Sequence, residues 1–370
     1  MDALPDQGFA QAVDFALVLG GGNALGAYQA GAYQALHEHG LEPDWVVGAS
    51  TGAVNGAIIC GNPREMRLDR LREFWRPASQ DQRWPAGETM RRTAAASAIL
   101  ALGHPPVFTP RVLPGAHWLA SPSASASLYD TAPLGGTIER LVDLDLLNRA
   151  PPRFAATAVD LESGEDVVFD TASAPVGIAH LLASSALLPA FPAVPIGGRL
   201  FCDPGLSSNL PMDIVLGEAS SRPLLCITVD LLPLRAPPPG TLGEVTERAQ
   251  DLMFATQSRR ALAAWQAIFD EREAQGCARA VTLVQIVYED QDDEVSGKAF
   301  DFSPETIRAR WAAGYRDIER ALAGIRAASV TLRKPGLHVY ARHGCDDALQ
   351  RVRSTLAPQS PSYQASFSSA

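Results

Sequence analysis

The chain has 370 residues, 46% apolar and 19% charged, with 31 basic against 41 acidic side chains and a formal net charge of −10. That apolar share excludes an intrinsically disordered chain. An acidic balance lacks the basic field that a phosphate backbone demands, so no nucleic-acid partner is expected.

At about 150 residues per domain the length predicts two or three units, or one large α/β domain with an extension. The first residues form a loose leader, residues 1–14 at most. Phe15–Leu19 is a continuous apolar run, the pattern of a strand buried on both faces. Gly20, Gly21 and Gly22 break it, and a helix is predicted from Gly26 to His39, closed by Gly40. Trp45–Val47 is a second buried strand, running into Gly48-Ala49-Ser50-Thr51-Gly52 and a small-residue helix that stops near Gly61. Strand, loop and helix repeated in this order predict a parallel sheet with crossover helices.

Residues 77–133 are rich in Pro, Ala and Ser and read as an irregular, lid-like insertion with one short helix, Thr93–Leu102. Regular structure resumes with a helix over Leu134–Leu147 and strands at Phe154–Val159 and Glu165–Phe169, turned by Ser163-Gly164. A helix follows over Pro175–Leu187, then Arg199-Leu200-Phe201 leading to Asp203-Pro204-Gly205. Leu224–Val229 is a further buried strand and should be central. Pro237-Pro238-Pro239-Gly240 is the best candidate boundary. A long helix (Leu242–Gln275), a strand (Val281–Tyr288) that would either start a new unit or join the same sheet, and a helix (Pro304–Leu322) come after it. The Ser-rich end is expected to be a disordered tail.

Five scattered cysteines without a CxxC pair predict neither a disulfide framework nor a zinc site, and a reducing compartment. No basic segment precedes an apolar stretch near the start, and the longest weakly polar run, Ala94–Leu102, is far short of the roughly 18 residues that span a bilayer. The expected location is the cytoplasm.

Gly48–Gly52 fits G-x-S-x-G. Ser50 would sit on a sharp strand-to-helix turn, with small neighbours that admit substrate and helix N–H groups aimed at developing negative charge. The competing reading is a glycine-rich turn with an unreactive serine. Gly20–Gly26 also joins a strand to a helix. Its spacing does not fit a dinucleotide fingerprint, and an oxyanion hole of backbone donors is the better reading. The serine needs a base. Of the seven histidines only His343 lies weakly in a suitable loop. Asp203, in a tight loop after apolar Leu200-Phe201-Cys202, is the more suggestive acceptor if burial raises its pKa; as a lone residue it reads equally as a turn cap.

Three blocks carry a family resemblance: LVLGGGNALGAYQAG at 17–31, VVGASTGAVNGA at 46–57 and ASSALLPAFPAVPIGGRLFCDPGLSSNLP at 183–211. In order and spacing they resemble the patatin-like phospholipases, Ser–Asp dyad acyl hydrolases. The resemblance covers roughly residues 15–216, and residues 217–350 resemble more weakly the C-terminal extension of a bacterial subgroup, with 351–370 as the tail. It implies a three-layer α/β/α fold with a mostly parallel sheet and a helical or mixed extension. It implies Ser50 as nucleophile, Asp203 as base, and the backbone of Gly21, Gly22 and Asn23 as the oxyanion hole. Gly26, Gly48, Gly52, Pro204, Gly205 and Asn209 support the motifs.

The implied reaction is hydrolysis of a lipid or ester acyl bond, with no metal or organic cofactor and with peripheral contact to a membrane or lipid surface. Three positions depart from the family pattern: Asn23 stands for the third glycine, Leu25 for a frequent Arg or Lys, and Pro204 for a glycine. A catalytically weak lipid-binding or scaffold protein of the same fold, and a Ser–His–Asp hydrolase using a late histidine, are the alternatives.

Overall fold

The structure, a computed structural model, describes residues 13–76, 87–111, 127–295, 297–327, 332–342 and 349–353. In chain order its strands are β1 (Asp14–Leu19), β2 (Trp45–Gly48), β3 (Thr109–Pro110), β4 (Tyr129–Asp130), β5 (Arg153–Asp160), β6 (Asp166–Asp170), β7 (Val194–Ile196), β8 (Arg199–Cys202), β9 (Leu224–Asp230), β10 (Ala280–Val287), β11 (Gly336–Ala341) and β12 (Gln350–Val352). Ten of them form one sheet in the order β12-β11-β10-β9-β1-β2-β5-β8-β7, with β6 paired to β5.

From β11 through β5 the neighbours run parallel; the edge pairs β11/β12, β5/β6, β5/β8 and β7/β8 are antiparallel. This is the mostly parallel sheet flanked by helices that the motif order implies. The continuous apolar run of β1 has its reason here. Leu17 and Leu19 face one helical layer, while Ala16 and Val18 face the other, with Leu262 and Phe269 of the long helix.

Leu224–Val229 lies between β1 and β10, as its burial pattern predicts. The strand after Pro237–Gly240 joins the same sheet, so β9, β10 and β11 continue the parallel order begun by β1 and β2. A second link joins the two parts. Helix α1 (Ala27–Glu38) packs on the helix Pro304–Ala327 so closely that a Cβ on Gly31 would sit 1.8 Å from the Trp311 carbonyl oxygen, and one on Gly314 would sit 1.9 Å from that of Tyr28. Only glycine permits that approach at both points.

Several element boundaries differ from expectation. The predicted helix over 134–147 is two helices, Ala132–Leu141 and Leu144–Arg149. Asp143 interrupts it because its carboxylate caps the amides of Asp145 and Leu146, a better use of a short acid than the helix interior. The predicted helix over 175–187 is only Ile178–Ser184, since Gly177 opens it and Pro189 lies just beyond. The insertion helix begins earlier, at Glu88, and ends at Leu102 with Gly103 at φ 80°. The glycine-rich loop contains a 3-10 turn, Asn23–Gly26, so α1 itself starts at Ala27. Helix Leu242–Ala274 opens with a capping box between Thr241 and Glu244. The expected tail begins too early at 351, because Arg351 and Val352 belong to β12 and pair with β11. His117, His343, Cys345, most of the leader, 77–86, 112–126 and 354–370 lie outside the described residues.

Candidate functional site

The carboxyl ends of β1 and β2 deliver the glycine-rich loop and the Ser50 turn to the same edge of the sheet, where open α/β folds place their ligands. Ser50 has φ 53° and ψ −124°, between β2 and helix α2 (Thr51–Cys60). A non-glycine residue held there is strained, and the surroundings must over-determine it. They do so through close packing. A Cβ on Gly48 would lie 2.4 Å from the Gly52 carbonyl oxygen, and one on Gly52 would lie 2.2 Å from that of Leu19. The Ser50 amide donates to Ser184 Oγ at 3.0 Å and the Ala49 amide to Leu19 O at 3.0 Å.

Behind the loop a buried amide network fixes its backbone. Gln29 Nε2 donates to Gly20 O at 2.7 Å, Asn55 Nδ2 to Gly26 O at 3.0 Å and to Gln29 Oε1 at 2.9 Å, and Trp75 Nε1 to Asn55 Oδ1 at 2.9 Å. Asn23 adopts φ 51°, a left-handed angle that asparagine tolerates better than most residues. Leu25 is fully buried in the core, so no charge from that position enters the site. The Gly21 amide is already engaged, donating to Asn209 O at 3.0 Å, which removes it from the expected set of oxyanion donors. The amides of Gly22 and Asn23 donate no hydrogen bond among the described residues.

Asp203 follows β8 and is 2% exposed. Its Oδ1 accepts the Gly205 amide at 2.8 Å and caps the short turn Pro204–Leu206. Pro204 stands at the first position of that turn, where a missing N–H costs nothing. The turn-cap reading of Asp203 is therefore correct for one oxygen only. Oδ2 is buried and closes no hydrogen bond of good geometry among the described residues. Burial raises the carboxyl's pKa to about 6, against the opposing pull of the Ser50 hydroxyl and the Gly205 amide.

Asn209 ties this loop to the glycine-rich one. Its Nδ2 donates to Gly21 O at 3.2 Å, and a Cβ on Gly21 would meet Asn209 Oδ1 at 2.5 Å and Ser50 Cβ at 3.1 Å. Gly22, Asn23, Ser50, Asp203 and Asn209 line one cavity of about 80 Å³, whose other walls are largely apolar, among them Val54, Trp75, Leu134, Phe191, Phe254 and Phe302. Gly26, Gly48, Gly52, Pro204 and Gly205 stand behind that lining.

No described histidine lines the cavity. His338 sits on β11, four strands from β2, with its ring bonded to Pro335 O and Arg351. His104 lies close behind the wall, stacked on Phe302.

A model of the patatin-like phospholipases matches residues 17–216, more than half of the chain. The chain belongs to the patatin-like phospholipase family. A second model, described as patatin phospholipase, matches residues 256–331. A comparison with curated proteins finds no match.

Among solved structures this patatin-like chain is similar to VipD from Legionella pneumophila, at 14% identity and TM-score 0.41, over 84% of this chain and 67% of that one. It is also similar to the type III effector protein ExoU, at 16% identity and TM-score 0.36, over 84% and 53%. The ExoU–SpcU complex of Pseudomonas aeruginosa matches at 17% identity and TM-score 0.26, over 67% and 50%. The chain thus spans between half and two thirds of the length of these structures. Among the described residues no helix is long and apolar enough to cross a membrane.

Reading the sequence alone missed four contributors. Ser184 holds the Ser50 amide, although it lies inside the quoted block at 183–211. Gln257, on the long helix, donates to Gly205 O at 3.0 Å and accepts the Asn209 amide at 3.0 Å. Phe300 and Phe302 supply cavity wall from far along the chain, with no local pattern to mark them.

Proposed function

We propose that this patatin-like protein is a serine acyl hydrolase acting on ester bonds, with Ser50 as nucleophile and Asp203 as its base. The observation that carries the reading is the buried Asp203 carboxyl, pulled on by the Ser50 hydroxyl and with an Oδ2 that closes no other hydrogen bond among the described residues, in the same cavity as a strained Ser50. Ser50 Oγ attacks the ester carbonyl carbon and passes its proton to Asp203. The resulting oxyanion accepts hydrogen bonds from the Gly22 and Asn23 amides, while the N-terminus of α2 favours the negative charge.

The tetrahedral intermediate collapses, the C–O bond to the leaving alcohol breaks, and Asp203 returns the proton to that alcohol. Asp203 then takes a proton from water, the hydroxide attacks the acyl-serine, and the C–Oγ bond breaks as Asp203 returns that proton to Ser50 Oγ, releasing the carboxylic acid. A carboxyl with its pKa near 6 is ionised at neutral pH yet basic enough to accept the proton. No step calls for a metal or organic cofactor. Exposed Met90, Leu100 and Leu102 on the insertion helix support peripheral contact with a lipid surface. Residues 15–216 would carry the chemistry and 217–350 would complete the sheet and the cavity.

The test is labelling with a fluorescent fluorophosphonate. Label should be absent from Ser50→Ala and reduced at least a hundredfold in rate in Asp203→Ala. A folded wild type that takes no label would favour a lipid-binding or scaffold protein instead. Label unaffected by Asp203→Ala would point to a histidine base.

A further inference from the structure

The cavity beside Ser50 is small. An apolar cavity of about 150 Å³ holds one benzene ring, six carbons. A space of about 80 Å³ therefore has room for roughly three or four acyl carbons. We propose that the site takes short-chain acyl esters, of about four acyl carbons or fewer, and that Phe302 sets this limit. The proposal rests on the acyl-hydrolase reading above and names its substrate class.

Phe302 comes from outside the stretch 17–216 that defines the family, and lies within the second match, 256–331. Its ring is held on two sides. It stacks on His104 with centroids 4.1 Å apart and on Trp75 with centroids 6.3 Å apart, both at 17° between planes. Burial keeps His104 neutral by lowering its pKa to about 4, so it packs as an aromatic ring and brings no charge to the wall.

The segment carrying Phe302 is irregular, yet charges anchor it. Lys298 Nζ bonds Asp251 at 2.7 Å and Gln291 Oε1 at 2.7 Å. Arg310 grips Glu294 with Nε and Nη2 at 2.7 and 2.8 Å. Next to Phe302, Asp301 accepts from Thr306 Oγ1 at 2.6 Å and from Arg92 Nε at 3.0 Å. Swinging the phenyl ring's backbone aside would strip buried ions of their partners, which is costly. The wall is thus fixed and does not act as a flap that yields to a long chain.

The experiment compares kcat/KM for p-nitrophenyl butanoate, octanoate and hexadecanoate with the full chain, its Phe302→Ala variant and its Phe302→Leu variant. Phe302→Leu keeps the apolar contact in case the alanine variant does not fold. Wild type should favour butanoate over octanoate at least tenfold, and each folded variant should raise the octanoate-to-butanoate ratio about tenfold, the worth of a methylene or two in an apolar pocket.

A second readout needs no chemistry: on the Ser50→Ala background, butanoic acid should raise the melting temperature more than octanoic acid, and Phe302→Leu should reverse that order. Wild type that prefers octanoate or hexadecanoate, or folded variants with unchanged ratios and unchanged melting shifts, would overturn the proposal. No hydrolysis of any ester with the melting discrimination intact would overturn the hydrolase reading and leave the size limit standing.

Discussion

On the side of Ser50 the cavity wall is backbone set against backbone, whereas on the side of Phe302 it is charge set against charge. The Ser50 side is built from β1, β2 and the glycines between them, with contacts that leave no space for a Cβ at Gly48 or Gly52. Apart from the Asp203 carboxyl, the polar groups it buries are neutral amides and hydroxyls: Gln29, Asn55, Asn209 and Ser184. The Phe302 side is an irregular segment pinned by Arg92, Arg310 and Lys298 against Glu294, Asp301 and Asp251.

The difference follows from the two tasks. A nucleophile and its oxyanion donors need tolerances of a fraction of an ångström, which close-packed backbone provides without the desolvation cost of charge. A loop without ladder hydrogen bonds has no such support, and buried ion pairs of good geometry can fix it instead.

The largest expected effect breaks the Ser50 side chemically while sparing its packing. Asp203→Asn should lower kcat by about 10²–10⁴-fold. In the wild type, kcat/KM should rise with pH through about 6 as the carboxyl ionises. The same substitution should stabilise the fold. The native carboxyl holds its proton up to pH about 6, whereas in the unfolded chain it loses it near 4. Across that window the native state binds more protons, so stability falls as pH rises and the full penalty remains above it. Melting curves should show Asp203→Asn more stable than wild type at pH 8 and not at pH 4. Equal activity in the variant would remove Asp203 from the mechanism.

Next in size is the charged side. Arg310→Met takes two hydrogen bonds from the buried Glu294, which keeps Arg92 and Tyr288 OH, and one each from the Lys298 and Asp301 carbonyls, and should cost about 3 kcal/mol in chemical denaturation. Below its melting temperature that variant should still take a small fluorophosphonate at Ser50, because the backbone-held side does not depend on Arg310. Loss of label in the folded variant would mean that the two sides are one unit.

Gly52→Ala is the mirror experiment. The added methyl meets the carbonyl oxygens of Leu19 and Gly20, and overpacking of this kind costs about 1–3 kcal/mol. It should displace Ser50 and abolish labelling while leaving the Arg310–Glu294 anchor in place. The smallest effect is expected for Ser184→Ala. It removes the acceptor of the Ser50 amide and should cost about 1 kcal/mol of stability, with a modest fall in kcat and KM unchanged.

How far the sequence could be read depended on how local the cause was. The apolar runs of β1, β2 and β9 and the glycines after β1 and β2 mark strands buried on both faces and turns that only small residues can make. That is enough to determine the parallel sheet and to nominate Ser50. Asp203 was legible as an acid in a tight loop, but its two oxygens have different surroundings, and burial is a property of the assembled fold. The same holds for Gly21, whose amide reads as free until Asn209, far along the chain, is seen to take it.

Boundaries such as the break at Asp143 turned on a side chain capping a backbone amide, a choice that a helical pattern does not reveal. The sequence by itself determined the kind of sheet, the strained turn and the candidate nucleophile, because strand burial and glycine sterics act over a few residues. Only the tertiary structure decided which loop amides are already bonded, which carboxylate oxygen caps a turn and which distant phenyl rings wall the cavity, because each depends on groups from separate segments meeting in a space that excludes water.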